Sequence, residues 1–275
     1  MARRSDHYET ECDCACDAAI KLSVTSSILR ENHIGGISLF GVAATIADVD
    51  ILSTRRGDEW HYTEGGGGLS VAACSSLNAV RTRVLGSEKY GVLVDDSSAS
   101  LGSPLEEDGI EVSDNVMGVW VQNISKTAPQ TVTIENARVD ANEGVGIGVS
   151  GESRGIIICR SAVSGTTSKA LPVKGQLGSV QEVGHGIAWL DASAVTVTGV
   201  TLSGNARASV LIDGEADGSL SDLTLTGGDE QKGVVQQNFK GGKQPGVSGS
   251  TPALKTDASE IFMIPLAPPA ASKMF

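Results

Sequence analysis

The chain has 275 residues, 40% of them apolar and only 4% aromatic, with 34 glycines and 8 prolines. That is too apolar for a disordered polypeptide, and its apolar runs, such as Ile156-Ile157-Ile158-Cys159, fall far short of the roughly 20 residues a membrane-spanning helix needs. A net charge of −12 removes the broad basic face that nucleic acid or an anionic membrane surface would require.

Residues 1–19 carry no periodic pattern. The stretch after Met1-Ala2-Arg3-Arg4 is polar where a secretory leader would be apolar. Either the protein stays inside the cell or its native start lies elsewhere. Cys12, Cys14 and Cys16 form a C-x-C-x-C run that could ligate a metal, with His7 as the nearby fourth candidate. Five cysteines are an odd number, so no closed disulfide framework is implied. Cys74 and Cys159 fall within the pattern described next and read as buried thiols.

From residue 20 a single template recurs. Apolar residues occupy positions 1, 3, 6 and 8, a polar residue, often Asn, occupies position 11, and a Gly-led strand follows. The copies are Leu22 to Asn32 leading to Gly36, Ala44 to Thr54 leading to Gly68, and Leu77 to Ser87 leading to Gly91. A shorter copy, Ile110 to Asn115, leads to Gly118. Val132 to Asn142 leads to Gly146, Ile156 to Thr166 to Gly186, and Val195 to Asn205 to Ser209. A weak last copy with Leu220, Leu223 and Leu225 reaches Gly233. The strand anchors are spaced 32, 23, 27, 28, 40, 23 and 24 residues apart. Period-2 alternation in short runs means strand rather than helix. A minimum near 23 fits one turn of three short strands, and longer spacings are that turn plus a loop. The prediction is an all-β, single-stranded right-handed parallel β-helix of about eight turns over 20–239, stabilised by stacking of neighbouring turns. Asn32, Asn115, Asn142 and Asn205 should ladder along one corner, where Asn tolerates the left-handed backbone.

Two insertions follow the ladder position, after Thr54 and after Thr166, and should emerge on the same edge. The first carries Trp60, His61 and Tyr62, and the second carries Lys169, Lys174 and His185. Aromatic rings side by side in a loop suit stacking on a sugar. Packing of those rings on the scaffold is the competing reading. His185 precedes a strand between two glycines and reads as a corner residue close to the surface. Residues 240–275 change to a Gly/Pro/Ser composition ending in Ile261-Phe-Met-Ile-Pro265, and read as a capping segment and tail.

The alternation also predicts what the outer face of the Gly-led strands presents. Ser38, Ser70, Leu93, Trp120, Gly148, Ala188, Leu211 and Val235 form one row, and Phe40, Ala72, Asp95, Gln122, Ser150, Leu190, Asp213 and Gln237 the next, with Asp95 and Asp213 isolated from each other. Trp120 is thereby marked as a contact surface. Paired catalytic carboxylates, or the several converging oxygens of a calcium site, are not found on this face. No cofactor is expected; Asp95 and Asp96 with Glu106, Glu107 and Asp108 are the candidates for gathering a cation between adjacent turns, and calcium is the ion such carboxylates would take.

On these residues the chain resembles the right-handed parallel β-helix repeat proteins of the pectin-lyase-like superfamily, over roughly residues 20–240. Val195 to Gly214 and Gly184 to Trp189 are most similar to β-helix proteins of myxobacterial and related genomes, often surface proteins or lipoproteins. The resemblance implies a cell-surface or extracellular location. It is weak for activity, because one fold hosts many functions. The favoured expectation is a non-catalytic scaffold binding a glycan or a surface protein through its edge loops. The alternative is a polysaccharide lyase or glycoside hydrolase of the pectin-lyase-like type.

Overall fold

A computed structural model describes residues 20–55, 66–124, 130–172, 180–191, 193–229 and 233–256. The strands in chain order are β1 (Lys21–Arg30), β2 (Gly35–Phe40), β3 (Ala43–Leu52), β4 (Gly67–Ala72), β5 (Ser76–Leu85), β6 (Tyr90–Asp95), β7 (Ser98–Leu101), β8 (Glu111–Ser113) and β9 (Met117–Gln122). There follow β10 (Val132–Glu135), β11 (Arg138–Asp140), β12 (Val145–Ser150), β13 (Ile156–Cys159), β14 (Ala162–Ser164), β15 (Lys169–Pro172), β16 (Val180–Val183) and β17 (His185–Trp189). The last are β18 (Ala194–Thr198), β19 (Thr201–Ser203), β20 (Val210–Asp213), β21 (Asp217–Ser221), β22 (Thr224–Thr226), β23 (Val234–Gln237), β24 (Gly246–Ser248) and β25 (Leu254–Lys255).

The protein is all-β, and apart from the antiparallel pair β15 and β16 its strands sort into two long parallel sheets. The first has 14 strands; the second runs β2-β4-β6-β9-β12-β17-β20-β23-β25. Each repeat contributes to both. In the first sheet β1, β3 and β5 are ten residues long and bend midway, at Ser26, Asp48 and Arg81, which have φ of 47°, 57° and 45°. Beyond β5 the two halves separate: β7 pairs with its first half and β8 with its second. The pairs β10/β11, β13/β14, β18/β19 and β21/β22 continue both rows. Parallel pairing continues past residue 239, because β24 pairs with β21 and β25 with β23.

Every repeat breaks its strands with left-handed residues at recurring places. One set immediately precedes the ladder position: Glu31, Ser53, Gly86, Asp114, Ala141, Gly165, Gly204 and Gly228. Another follows the second sheet: Gly41, Ala73, Asp96, Asn123, Gly151, Asp191, Gly214 and Asn238. The expectation that the ladder Asn itself takes the left-handed conformation is therefore corrected, since Asn115, Asn142 and Asn205 do not. The strain falls one residue earlier, which leaves the Asn backbone and amide free to face the next repeat.

The strand-leading glycines also act differently from expectation. Gly36, Gly68, Gly91, Gly118, Gly146 and Gly186 are not left-handed; a Cβ on any of them would lie 2.3–2.9 Å from the carbonyl oxygen of the equivalent residue in the next repeat. Close approach, rather than backbone freedom, demands glycine there.

The interior is one apolar cluster running the length of the sheets. Val139, Ile147, Val149, Val163, Ile187, Trp189, Val197, Val200, Leu202, Val210 and Ile212, all placed inward by the alternation, are buried in it. Equivalent residues stack by register: Val119 pairs with Ile147, which pairs with Ile187, which pairs with Val210. Each such side chain contributes about 1.5–3 kcal/mol on burial.

Candidate interaction surfaces

The ladder forms where the side chain is an amide or carboxylate. Asn115, Asn142 and Asn205 are buried. The backbone N–H of Ser87 donates to Asn115 Oδ1 at 2.8 Å, and that of Asn115 donates to Asn142 Oδ1 at 3.1 Å. Each amide also reaches back to the previous repeat: Asn115 Nδ2 donates to the Val84 carbonyl, Asn142 Nδ2 to Val112 and Asn205 Nδ2 to Val163, at 3.2, 3.0 and 3.3 Å. Asp229 takes the next ladder position, accepting from Asn205 N and Nδ2 at 2.8 and 2.6 Å. Sequence reasoning missed Asp229, although it stands 24 residues after Asn205. At Thr54, Ser87 and Thr166 the hydroxyl occupies the site and finds no hydrogen-bond partner. Asn32 is half-buried, and its Nδ2 is buried without an acceptor.

Beyond β2, where Ser38 and Phe40 are exposed, the outer face of the second sheet is not a solvent surface, which corrects the placement of Trp120. It points outward as the alternation requires, yet it is fully buried in a second apolar cluster with Tyr90, Leu93, Met117, Val145, Ala188 and Leu190. Its ring covers Gly148, where an added Cβ would lie 2.3 Å from the indole, and its Nε1 donates to Ser150 Oγ at 3.1 Å. Tyr90 covers Gly67 in the same way, with its hydroxyl 3.0 Å from that of Ser70. Burial pushes the Tyr90 phenol up, and the Ser70 hydroxyl pulls against that. A parallel sheet buried on both faces is the ordinary state of such sheets. Asp95 on this face is buried and accepts from Asn123 Nδ2 at 2.7 Å.

His185 begins β17 and is fully buried, its backbone N–H donating to the Gly144 carbonyl at 2.8 Å. It thus opens the strand, in register with Val145, instead of preceding it at a corner, and it does not lie near the surface. The insertion before it is an antiparallel hairpin of β15 and β16, whose Leu171 packs against the second cluster. Isolated bridges His33 to Arg55 and Glu143 to Thr167 show the two insertions leaving from equivalent positions. Trp60, His61 and Tyr62 lie outside the described residues, as do Cys12, Cys14, Cys16 and Lys174. Cys159 is a free buried cysteine with its thiol pushed up by burial, whereas Cys74, read as a buried thiol, is disulfide-bonded.

The acidic candidates are not brought together. Asp96 ends at a corner, where burial raises its carboxyl and the Gln130 amide pulls against it. Glu106–Asp108 form a short 3-10 turn before β8, with Asp108 paired to Arg81 and accepting from Ser103 Oγ. Among the described residues no three His, Cys, Asp or Glu side chains gather to hold a metal. Outward carboxylates serve instead in ion pairs along the first sheet. Arg83 grips Asp50 with two hydrogen bonds of 2.8 and 2.6 Å, and Arg81 grips Asp48 with bonds of 2.7 and 3.1 Å. Those bonds hold both carboxyls below the ordinary range. Arg138 pairs with Asp140 at 3.0 Å, and Glu135 pairs with Arg160.

A shallow groove of about 440 Å³ opens at the start of β1, β3 and β5, lined by Lys21, Leu22, Ser23, Thr45, Leu77 and Asn78 among others. It holds hydroxyl and amide groups and the Lys21 amine beside apolar side chains. No helix among the described residues is long and apolar enough to cross a membrane. Comparison with known proteins gives no match to a family model, a curated protein or a solved structure.

Proposed function

We propose that the two parallel sheets belong to one right-handed parallel β-helix, and that it serves as a non-catalytic scaffold of a cell-surface or secreted protein. The observation that carries this reading is where the reactive side chains have gone. The outer face of the second sheet from β4 to β17, where pectin-lyase-like enzymes would do their chemistry, is packed shut around Trp120 and Tyr90. The carboxylates of the first sheet are committed to arginines. The disulfide at Cys74 suits an oxidising compartment. Binding then belongs to the edge insertions, which leave from equivalent positions. The segment with Trp60, His61 and Tyr62 is the proposed contact for a glycan. A glycan array with the wild-type chain and Trp60→Ala tests this. The expected result is a defined set of glycans bound by the wild type and lost in the variant without a change in melting temperature. Equal binding by both, or a lowered melting temperature in the variant, would assign Trp60 to packing.

A further inference from the structure

The states of the cysteines leave Cys74 with few possible partners. Cys74 is disulfide-bonded and Cys159 is free. Cys12, Cys14 and Cys16 are the chain's other cysteines. A bridge within one chain takes two cysteines, so the partner of Cys74 is one of the three in the C-x-C-x-C run. Those three lie outside the described residues; Cys74 and the start of β1 do not.

Register brings the two within reach. Cys74 sits at the corner between β4 and β5, where Ala73 and Cys74 are both left-handed, with φ of 53° and 60°. Its backbone N–H donates to the Asp96 carbonyl at 2.8 Å, which fixes the corner to the following repeat. Toward the preceding repeats, Ser76 pairs with Ala43 and Ala43 with Lys21. The Ser76 N–H donates to the Val42 carbonyl at 2.9 Å, and the Ala43 N–H to the Ile20 carbonyl at 3.0 Å. Ile20 therefore lies two strand spacings, about 10 Å, below the residue that follows Cys74. Cys16 stands four residues before Ile20, and an extended chain covers about 3.3–3.6 Å per residue. A bridge holds its two Cα atoms about 4.4–6.8 Å apart. Cys16 meets that distance, and Cys14 and Cys12 meet it with more chain to spare.

The surroundings of Cys74 suit a bridged sulfur. Asp96 Oδ2 lies 4.0 Å from Cys74 Sγ. A carboxylate at that range disfavours a thiolate, whereas the sulfur of a bridge carries no charge. The mechanical consequence follows from stacking. β1 pairs with β3 and β3 with β5, so a link from the segment before β1 to the corner before β5 spans both interfaces.

We propose that Cys74 is the covalent anchor of the N-terminal cysteine run, with Cys16 the nearest partner, and that this bridge is a redox-sensitive clasp on the first repeats. Closing it takes one hydrogen from each of two thiols and passes both to a small-molecule disulfide, which leaves as two thiols; a dithiol reverses the exchange. The clasp and a metal site built from Cys12, Cys14, Cys16 and His7 exclude one another, because the bridge consumes a thiolate that such a site needs.

The test blocks free thiols of the full chain in denaturant without reductant, digests it with trypsin and reads the products by mass spectrometry. Cleavage at Lys and Arg places the run, Cys74 and Cys159 on separate peptides, 5–21, 57–81 and 155–160. Peptides 5–21 and 57–81 are expected as one species that a dithiol splits, beside 155–160 with its thiol blocked. A blocked thiol on Cys74, a link from 57–81 to 155–160, or a bridge joining two copies in non-reducing electrophoresis would overturn the pairing. The clasp is read separately, by amide exchange of the folded chain with and without the dithiol. Reduction should speed exchange in β1 and β3 several-fold and leave β12, β17 and β20 unchanged, and Cys74→Ser should show the fast rates in both conditions. Equal rates in wild-type β1 and β3 with and without the dithiol would overturn the clasp. A free Cys74 would also remove the support for an oxidising compartment, while the glycan reading stands or falls on Trp60 alone.

Discussion

At the scale of single residues, the chain separates the tasks of turning and of laddering. The left-handed backbone falls on Asp114, Ala141 and Gly204, and the hydrogen bonding on Asn115, Asn142 and Asn205 next to them. The ladder was legible because Asn recurs at a fixed place after an apolar alternation. The turning residue was not, since it varies among Glu, Ser, Gly, Asp and Ala and so carries no compositional signal. Asn142→Leu removes the acceptor used by two groups of Asn115 and the donor to Val112. The expected cost is about 1–3 kcal/mol, from buried groups left unpaired, measured by denaturant unfolding. Thr166→Asn is the converse. Its hydroxyl is buried without a partner between Asn142 and Asn205, and an amide there can accept from Asn142 N and join the two halves of the ladder. A gain of about 0.5–1.5 kcal/mol is expected; a loss would show that the hydroxyl fits better than an amide.

Among the elements, β6, β9 and β12 show what alternation cannot say. The pattern of Leu93, Trp120 and Gly148 marks a side chain as outward, but outward is not exposed when a second apolar cluster forms on that side. The rings of Tyr90 and Trp120 over Gly67 and Gly148 hint at it afterwards, because a large ring beside a glycine on the neighbouring strand is a packing pair. Trp120→Ala should therefore destabilise the chain by about 3–5 kcal/mol, as in a core, and leave any surface binding intact. The hairpin of β15 and β16 was hidden for another reason: Lys-Ala-Leu-Pro lacks the period-2 pattern of the repeats. On the first sheet the ion pairs set a pH response. Burial works against the Asp140 carboxylate, yet Ser164 and Arg138 outweigh it and hold it low, as Arg83 does for Asp50 and Lys243 for Asp217. Carboxyls lowered on folding stabilise above the unfolded value of 3.8 and lose that contribution as pH falls through their lower folded values. Asp96 is shifted upward and offsets a small part of the loss. Melting should hold level from neutral pH to about pH 4 and then fall; a rise on acidification would contradict the pairing.

Taken as a whole, the molecule has no repeat with a core of its own. Ile187 is stacked between Ile147 and Val210, so Ile187→Asp places a charge among several repeats at once. Loss of the cooperative transition is expected rather than a local opening, and amide exchange would show it across β9 to β20. The all-β class and the inward residues were legible because stacking forces every copy into one pattern. The binding loops were not, because nothing in the repeat constrains an insertion that leaves it. The proposed role rests on reactive groups being used in structure, with Trp120 buried and Asp48, Asp50, Asp108 and Asp140 paired. The direct measurement is incubation of the purified chain with acidic polysaccharides, with and without calcium, following unsaturated products and new reducing ends. A scaffold yields neither under any condition. Product formed in proportion to protein and abolished by Asp95→Asn or by removing calcium would contradict it.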